Sequence, residues 1–207
     1  MIFFRQKLAE VITLPPPPVV DLDEAYEVED IIRVRTPEQV ESVMKHDEIP
    51  YYAIRKVCEE NGLEFHKNEF VQIIEEAAPI IGHFKKHFNR DRPFEVLPRL
   101  NTLPSKTNKT RSYPSGHAAQ SVIVARYVAG KFPKLEKELM AAAYECGYGR
   151  VVAGFHYLSD YEVGNLLGEK MYALMNRMDY QAELAEDTAI GTRIKFKDLS
   201  KSLKELF

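Results

Sequence analysis

The sequence predicts an all-α protein, a single-domain helical bundle, and three observations carry this prediction. Apolar residues recur at spacings of three and four over several long stretches, which is the period of a helix that faces a core. No stretch alternates between apolar and polar residues as a half-buried strand would. Proline and glycine fall mostly between the periodic stretches, where helices begin and end. The 207 residues suffice for one domain with a sizeable core.

Composition divides the chain into three parts. Residues 1–20 form an N-terminal segment, in which residues 1–14 suit a short amphipathic helix and the four prolines at 15–18 form an extended spacer. Residues 21–180 hold the helical domain, and residues 181–207 form a charged C-terminal tail. Four apolar residues of this tail have the spacing of a further short amphipathic helix, namely Phe196, Leu199, Leu203 and Phe207.

Helix-start signals place the first three helices of the domain. Residues 21–35 are acidic with aliphatic residues at roughly helical spacing. The run Thr36-Pro37-Glu38-Gln39 is a strong start, because Thr is a good N-cap, Pro suits the first position, and Gln can bond back to the cap. It predicts a helix over residues 37–45. Another helix follows over residues 50–60 and ends before Gly62.

A long helix is expected over residues 69–88, with Asn68 as its cap. Pro79 lies inside it and should kink it or split it in two. Lys85 lies near its C-terminal end, and Arg92-Pro93 lies just beyond, where proline prevents further helix. The predicted apolar stripe of this helix consists of Val71, Ile74, Ala77, Ala78 and Ile81.

A basic loop and three helices complete the domain. Residues 97–111 form a polar, proline-containing loop that serves either as a rim for substrate recognition or simply as a solvated surface. Helices are expected over residues 117–131 and 133–148, with a break at Gly147-Tyr148-Gly149. The last long helix is expected over residues 159–178. Its core face consists of Val163, Leu166, Leu167, Met171 and Leu174.

The stretch Arg111-Ser112-Tyr113-Pro114-Ser115-Gly116-His117 has the character of an anion site. Pro114 has no backbone N–H, and Gly116 lets a ligand approach the main chain closely. Because a helical pattern follows Gly116, Ser115 and Gly116 should lie at a helix N-terminus, where free N–H groups and the helix dipole favour anions. His117 adds a side chain that can exchange a proton near neutral pH.

Two further clusters supply cations and a second imidazole. Lys85 and Arg92 come from the cluster before the motif, and Arg150 comes from the cluster after it. His156 and Asp160 are four residues apart, so they share one face if the segment is helical. A carboxylate bonded to one imidazole nitrogen fixes the tautomer and leaves the other nitrogen as a nucleophile or base.

These three clusters resemble the signature of the type 2 phosphatidic acid phosphatase and vanadium haloperoxidase superfamily. The signature is Lys, six residues, Arg-Pro; then Pro-Ser-Gly-His; then Ser-Arg, five residues, His, three residues, Asp. The residues that match it are Lys85, Arg92-Pro93, Pro114-Ser115-Gly116-His117, Arg150, His156 and Asp160. One position departs, because Gly149 stands where the family usually has Ser. Over roughly residues 70–175 the chain looks most like the soluble class A bacterial non-specific acid phosphatases, and weaker similarity precedes this region.

A phosphate ester carries up to two negative charges, so its hydrolysis requires bound cations, an aligned nucleophile and a proton for the leaving oxygen. The resemblance implies, and the residue types allow, that neutral His156 attacks phosphorus while Asp160 orients it. His117 would protonate the leaving group and then activate water. The implied phosphate-binding residues are Lys85, Arg92, Ser115, Gly116 and Arg150. One imidazole must be neutral and the other charged, so we expect a bell-shaped pH profile.

These roles predict an enzyme, a metal-independent phosphomonoesterase similar to acid phosphatases that works through a phosphohistidine intermediate. Three alternatives remain: a vanadium-dependent haloperoxidase, a lipid or diphosphate phosphatase, and a non-catalytic phosphate-binding module. We expect no metal and no cofactor, although phosphate or vanadate would fit the site. The expected ligand is a small phosphorylated substrate.

The bulk properties limit the partners and the location. The net charge of −3 at pH 7 gives no support to nucleic-acid binding. No apolar run approaches the roughly 20 residues that a transmembrane helix needs. Residues 1–4 are apolar but too short, and charged residues come directly after them, so the pattern does not resemble a signal peptide. These features favour a cytoplasmic protein, and they leave a homo-oligomer open.

Overall fold

The structure is a computed structural model that describes residues 11–64 and 66–187, and no residue in these ranges forms a strand, which confirms the all-α prediction. The helices are α1 (Asp21–Val34), α2 (Pro37–His46), α3 (Tyr52–Glu60), α4 (Lys67–Phe88), α5 (Pro93–Val96), α6 (Gly116–Lys131), α7 (Glu136–Val152) and α8 (Leu158–Asp187), with a 3-10 helix at Pro133–Leu135. Residues 11–14 are not helical. The rest of the expected N-terminal helix, and the helix expected around Phe196, lie outside the described residues.

Two predicted helix starts are confirmed by their capping bonds. At the start of α2, the Gln39 amide donates to Thr36 Oγ1 at 3.3 Å, and the Thr36 amide donates to Gln39 Oε1 at 2.9 Å. At the start of α6, Ser115 Oγ accepts a bond from the Ala118 amide at 3.5 Å. The second cap matters for the site, because it fixes Gly116 as the first helical residue.

Helix α6 lies at the centre of the bundle. It contacts α3, α4, α7 and α8, and it is buried on every side. Its fully buried residues include Ala118, Ala119, Val122, Ile123 and Ala125. Because small and β-branched residues alternate around this helix, its neighbours can approach closely. The N-terminus of α6, with His117 in its first turn, is therefore held from several sides.

Two glycines let α8 approach the backbone of α6. A Cβ atom at Gly164 would lie 2.6 Å from the Ser115 carbonyl oxygen, and one at Gly168 would lie 2.7 Å from the Ala119 carbonyl oxygen. Both distances are far inside van der Waals contact. The spacing of four residues places both glycines on the same face of α8. This contact fixes the position of Ser115 relative to α8.

Helix α4 runs unbroken through Pro79, so of the two predicted effects of this proline, a kink or a split, the split does not occur. Pro79 lies on the exposed face, where the carbonyl that loses its partner can be solvated. The apolar stripe is also shifted, because Ala78 is exposed whereas the phenylalanine side chains face the core. The buried apolar residues of α4 are Phe70, Ile73, Ala77, Ile80, Ile81 and Phe84.

Helix α7 continues through Gly147 and Gly149 to Val152, which corrects the predicted break. At Gly147 a Cβ atom would lie 2.9 Å from the Tyr161 ring and 3.0 Å from Ala118 Cβ, so this glycine serves close helix packing. The chain instead turns at Gly154, whose φ of +81° lies in the region that glycine favours. Arg150 therefore lies in the last turn of a rigid helix.

Helix α4 ends at Phe88, as predicted, and does not continue into Pro93, although a separate short helix begins there. Asn89, in a left-handed conformation with φ of +49°, ends α4. Pro93 then becomes the first residue of α5, with Arg92 as its N-cap, a position that suits proline because the missing N–H would be unpaired there. Arg92 is thus fixed between two helices.

The segment before α1 packs across the bundle. Ile12 and Leu14 are buried and belong to the main core. The hydroxyl of buried Tyr113 donates to the Pro15 carbonyl at 2.6 Å. The segment therefore contacts the motif that precedes α6.

No helix in the described part of the chain combines the length and the apolar character that crossing a membrane requires.

Candidate active site

The turn before α6 is tied to α8 and to the end of α4. The Ser115 amide donates to the Asp160 carbonyl at 2.9 Å, and the Ser112 amide donates to the Arg90 carbonyl at 3.0 Å. A Cβ atom at Gly116 would lie 3.9 Å from Lys85 Cε, so the glycine lies beside the last turn of α4. Three distant parts of the chain thus meet at the predicted anion site.

Lys85 and Arg92 are buried beside this turn and donate to main-chain carbonyls. Lys85 Nζ donates to the carbonyls of Arg111 and Ser112, at 2.5 and 3.0 Å. Arg92 Nε donates to the Thr110 carbonyl and Nη1 to the Phe155 carbonyl, each at 2.7 Å. Carbonyl oxygens hold the cations in place without neutralising their charge.

Arg150 is held by a residue that the sequence analysis missed. Its Nη1 donates to Asp47 Oδ1 at 2.8 Å, and its Nη2 donates to Thr107 Oγ1 at 3.0 Å and to Ser105 Oγ at 3.3 Å. Nε of this fully buried side chain has no hydrogen-bond partner among the described residues. The arginine therefore has a fixed orientation and one free donor, which suits the binding of an oxyanion.

Burial, and then the neighbouring positive charges, lower the pKa values of two of these cations. Burial, with the charges of Arg92 and Arg150, lowers the pKa of Lys85 to about 7. Burial and Arg150 lower the pKa of Arg92 to about 10. Three cations crowded into a region with little water favour any anion that can enter it.

His156 contacts both Asp160 and Arg92. Its Nδ1 lies 3.0 Å from Asp160 Oδ2, and its Nε2 lies 3.4 Å from Arg92 Nη1. Because a guanidinium can only donate, Nε2 must be the unprotonated nitrogen, and Nδ1–H donates to Asp160. Burial and the surrounding cations hold the pKa of His156 well below its usual value, so the ring is neutral. A neutral imidazole with an unprotonated Nε2 is a competent nucleophile once Arg92 turns to a substrate oxygen.

The contact between His156 and Asp160 was predicted, but its structural basis differs. His156 precedes α8, and Asp160 lies in the first helical turn, so the two do not share a helix face. Asp160 Oδ2 instead accepts from the Tyr157 amide at 3.1 Å and so caps the helix start. This bond brings the carboxylate back towards His156.

His117 lies in the first turn of α6, and its Nε2 donates to the Asp47 carbonyl at 2.9 Å. In the neutral ring, Nδ1 is then the proton acceptor. Burial and the charge of Arg150 lower the pKa of His117 to about 3. Burial lowers the pKa of His156 most, followed by the charges of Arg92, Lys85 and Arg150, and a proton on His117 would lower it further, so the two imidazoles lie within electrostatic reach of each other.

Several other charged and aromatic residues in and around the three clusters make contacts within the fold. Three of the four cations in the loop over residues 97–111 form ion pairs: Arg99 with Glu29, Lys106 with Glu48 and Arg111 with Asp91. The aromatic residues Tyr113, Phe155 and Tyr157 are fully buried, so core packing accounts for them. His87 is exposed and contacts the Phe88 ring edge-on.

The departure from the signature at Gly149 lies against α2. A Cβ atom there would lie 3.2 Å from Val43 Cγ2 on α2. A cavity of about 200 Å³ between α2 and α7 also has Gly149 in its wall. The side chain of a serine at this position would therefore point towards α2.

Sequence reasoning assigned no role to Asp47, Arg90 or Ser112. Ser112 lies inside the quoted motif, and its hydroxyl donates to Asp160 Oδ2. Arg90 lies in the first cationic cluster, so the spacing pattern contained it without a function. Asp47 follows α2 with no surrounding motif, and only the fold brings it to Arg150.

The comparisons with known proteins agree with this geometry. The family model described as the PAP2 superfamily matches residues 71–183. A non-specific acid phosphatase of Salmonella typhi is 33% identical over 106 residues, which are 49% of this chain and 42% of that protein. A non-specific acid phosphatase of Providencia stuartii is 26% identical over 197 residues, 86% of this chain and 79% of that protein. The match to the Salmonella protein thus spans less than half of its length.

One solved structure has a similar fold. It is a transmembrane PAP2-type phosphatidylglycerolphosphate phosphatase from Bacillus subtilis, with a TM-score of 0.56 and 18% sequence identity. The likeness covers 84% of this chain and 91% of that one. At this identity it shows the fold alone.

Proposed function

The chain belongs to the PAP2 superfamily, and from that premise we propose that it is a phosphomonoesterase that works through a phosphohistidine intermediate. The observation that carries the proposal is the placement of His156. Its Nδ1–H is held by Asp160, while its Nε2 lone pair lies beside Arg92 in a group of three buried cations. This arrangement suits attack on a phosphorus atom whose oxygens the cations bind.

The first step transfers the phosphoryl group to the protein. Phosphate oxygens take donors from Lys85, Arg92 and Nε of Arg150, so that Arg92 leaves Nε2 of His156 free. The Nε2 lone pair attacks phosphorus, and the bond to the ester oxygen breaks. His117 gives the proton on Nδ1 to the leaving oxygen. The negative charge of Asp160 stabilises the positive charge that develops on His156.

This step requires His117 to be protonated when substrate is bound, although its pKa in the free protein is about 3. A bound ester brings up to two negative charges into a region from which water is excluded, and nearby negative charge raises the pKa of an imidazole. The negative charge of the bound substrate therefore raises the pKa of His117, so that His117 takes up the proton it later donates. Binding and proton uptake are linked.

The second step releases phosphate. His117 Nδ1 takes a proton from a water molecule, and the water oxygen attacks phosphorus. The bond between phosphorus and Nε2 breaks, which returns the lone pair to His156 and completes the cycle. The three cations provide the charge stabilisation that a metal provides elsewhere, so the proposal includes no metal.

The test measures p-nitrophenyl phosphate hydrolysis by the purified protein and traps the intermediate from radiolabelled substrate. We expect label that survives alkali and is lost in acid, as a phosphorus–nitrogen bond requires. His156→Ala should abolish both turnover and label, His87→Ala should change neither, and a chelator should leave the rate unchanged.

Three outcomes would reject the proposal. One is an acid-stable label, and another is turnover that persists in His156→Ala. The third is halide oxidation by peroxide with added vanadate and no ester hydrolysis, which would favour the haloperoxidase alternative.

A further inference from the structure

Arg90 is a buried cation that the proposed mechanism does not use. It lies between α4 and α5, and its side chain is 2% exposed. Its Nη1 donates to Asp160 Oδ1 at 2.8 Å. Its guanidinium carbon lies 3.9 Å from the centroid of the Tyr157 ring and 5.9 Å from that of Tyr113. These rings bury the cation and fix its plane.

Arg90 binds the carboxylate oxygen of Asp160 that His156 does not contact. Oδ2 of Asp160 already accepts from His156 Nδ1, from the Tyr157 amide and from the Ser112 hydroxyl. Oδ1 accepts from Arg90. The carboxylate thus has donors on both oxygens, and Arg90 is the only lysine or arginine within ion-pair distance among the described residues.

The other side of Arg90 faces two carboxylates of α1. Nε donates to Asp21 at 2.9 Å, and Nη2 donates to Glu24 at 2.6 Å. Ser159 adds a bridge, because its hydroxyl accepts from Arg90 at 2.7 Å and donates to Glu24 at 2.6 Å. A row of alternating charge therefore runs from α1 through Arg90 and Asp160 to His156.

We propose that Arg90 is a positioning residue for catalysis, which holds Asp160 ionised and aligned with His156, and that Asp21 and Glu24 of α1 set the strength of this effect. The inference rests on the proposed function, because it concerns the same nucleophile. It makes α1, which lies outside the PAP2 match, part of the catalytic apparatus.

These charges change the proton affinity of the His156–Asp160 pair in a direction that can be predicted. Removing the positive charge of Arg90 makes it easier for the His156–Asp160 pair to take up a proton, whichever of the two receives it. Removing a carboxylate beyond Arg90 makes proton uptake harder. The other charged or titratable groups that face this pair or Arg90 are Lys85, Arg92, Arg150, His117, Tyr113 and Tyr157. None of these six is altered in the variants that test the inference.

The first arm of the experiment measures kcat/KM against pH for Arg90→Met. The limb at which activity falls on the acid side should move to higher pH by about one unit or more. Arg99→Met is the matched control, because Arg99 also binds a carboxylate of α1, Glu29, and does not touch Asp160. Its acid limb should stay in place.

The second arm removes charge on the far side of Arg90. Glu24→Gln should move the acid limb to lower pH by about half a unit, opposite to Arg90→Met. Glu29→Gln on the same helix should leave it unchanged. Arg90→Lys keeps the charge, so its limb should stay near that of the native protein while kcat falls.

Opposite shifts of the acid limb in the two variants distinguish a positioning role from a purely structural one. A variant with a loosened fold would lose activity, but this loss would not move the acid limb up in one variant and down in the other. The inference is overturned if the limbs of Arg90→Met and Glu24→Gln stay in place or move the same way. If Arg90→Met does not fold, Glu24→Gln against Glu29→Gln decides alone, and an unmoved limb overturns the inference. Absence of any ester hydrolysis by the native protein would instead reject the proposed function itself.

Discussion

Lys85 holds an ammonium group in a region from which water is nearly excluded. It lies in the last turn of α4, and the carbonyls of Arg111 and Ser112 are its partners. Its pKa of about 7 means that the free protein holds this proton only weakly near neutral pH. A bound phosphate would raise that pKa, so Lys85 should become fully charged when substrate binds.

We predict that Lys85→Gln lowers kcat/KM by about 10²- to 10³-fold, because it removes a charged donor from the transition state. Steady-state kinetics with p-nitrophenyl phosphate would measure the loss. Lys86→Gln is the matched control, since Lys86 is the next residue of α4 and is exposed. Equal losses in the two variants would contradict a local role for Lys85.

At the level of the helices, the contact between α6 and α8 decides where the turn before α6 lies. Gly164 faces the Ser115 carbonyl, and the Ser115 amide in turn donates to the Asp160 carbonyl of α8. The helix that carries Asp160 is therefore in backbone contact with the turn that carries Ser115. A change in the distance between these helices would move both parts of the site.

We predict that Gly164→Ala lowers the free energy of unfolding by about 1–3 kcal/mol, because the added methyl group meets a backbone oxygen that cannot move freely. We also expect kcat to fall about tenfold or more, since Ser115 and Gly116 would shift. Chemical denaturation and steady-state kinetics would measure the two effects.

Gly82→Ala provides the control, because Gly82 is an exposed residue of α4 and the added methyl group would have no atom of the described part of the chain within 4 Å. It should raise stability by about 0.5–1 kcal/mol through helix propensity and leave kcat unchanged. A Gly164→Ala protein of native stability and activity would show that the two helices are not in the contact described.

Which helices form, and where most of them start, follows from local sequence. The caps at Thr36 and Ser115 depend on residues three positions apart, so their bonds could be predicted. The predicted break at Gly147 failed for a different reason. A glycine that breaks a helix and a glycine that lets another helix approach look alike in one sequence, and only the neighbouring Tyr161 distinguishes them.

For the whole molecule, buried histidines link stability to pH, because burial lowers the pKa values of His46, His117 and His156. In the folded protein the pKa of His117 is about 3, whereas 6.5 is the usual value and applies in the unfolded chain. Between these pH values the unfolded state binds more protons than the folded state. Stability is therefore fully present above pH 6.5 and falls as the pH decreases below it. His156 acts in the same direction.

We predict that the free energy of unfolding falls between pH 7 and pH 5 by about 2 kcal/mol through His117, and that His156 adds to this fall. Urea denaturation at the two pH values would measure it. His117→Gln keeps an N–H that can donate to the Asp47 carbonyl but cannot titrate, so its pH difference should be smaller than that of the native protein. Equal differences would contradict a neutral buried His117.

Some residues of the candidate site could be recognised from the sequence, and others could be found only from the structure. Lys85, Arg92, His117 and His156 stand in motifs whose spacing could be recognised, and the fold brings them into one region. Asp47 could not be found in this way, since it lies 103 positions from Arg150. Such a partner is determined by the packing of α2 against α7, which no local pattern encodes.

The contacts of Asp47 and of α1 bear on how this protein can be trimmed. The region of family similarity begins at residue 71, yet Arg150 and Arg90 have carboxylate partners upstream of it. A fragment excised at the similarity boundary would retain every motif residue and deprive two buried guanidinium groups of those counter-ions. Expression plasmids should therefore encode the upstream segment, from Ile12 onward, whose side chains complete the core.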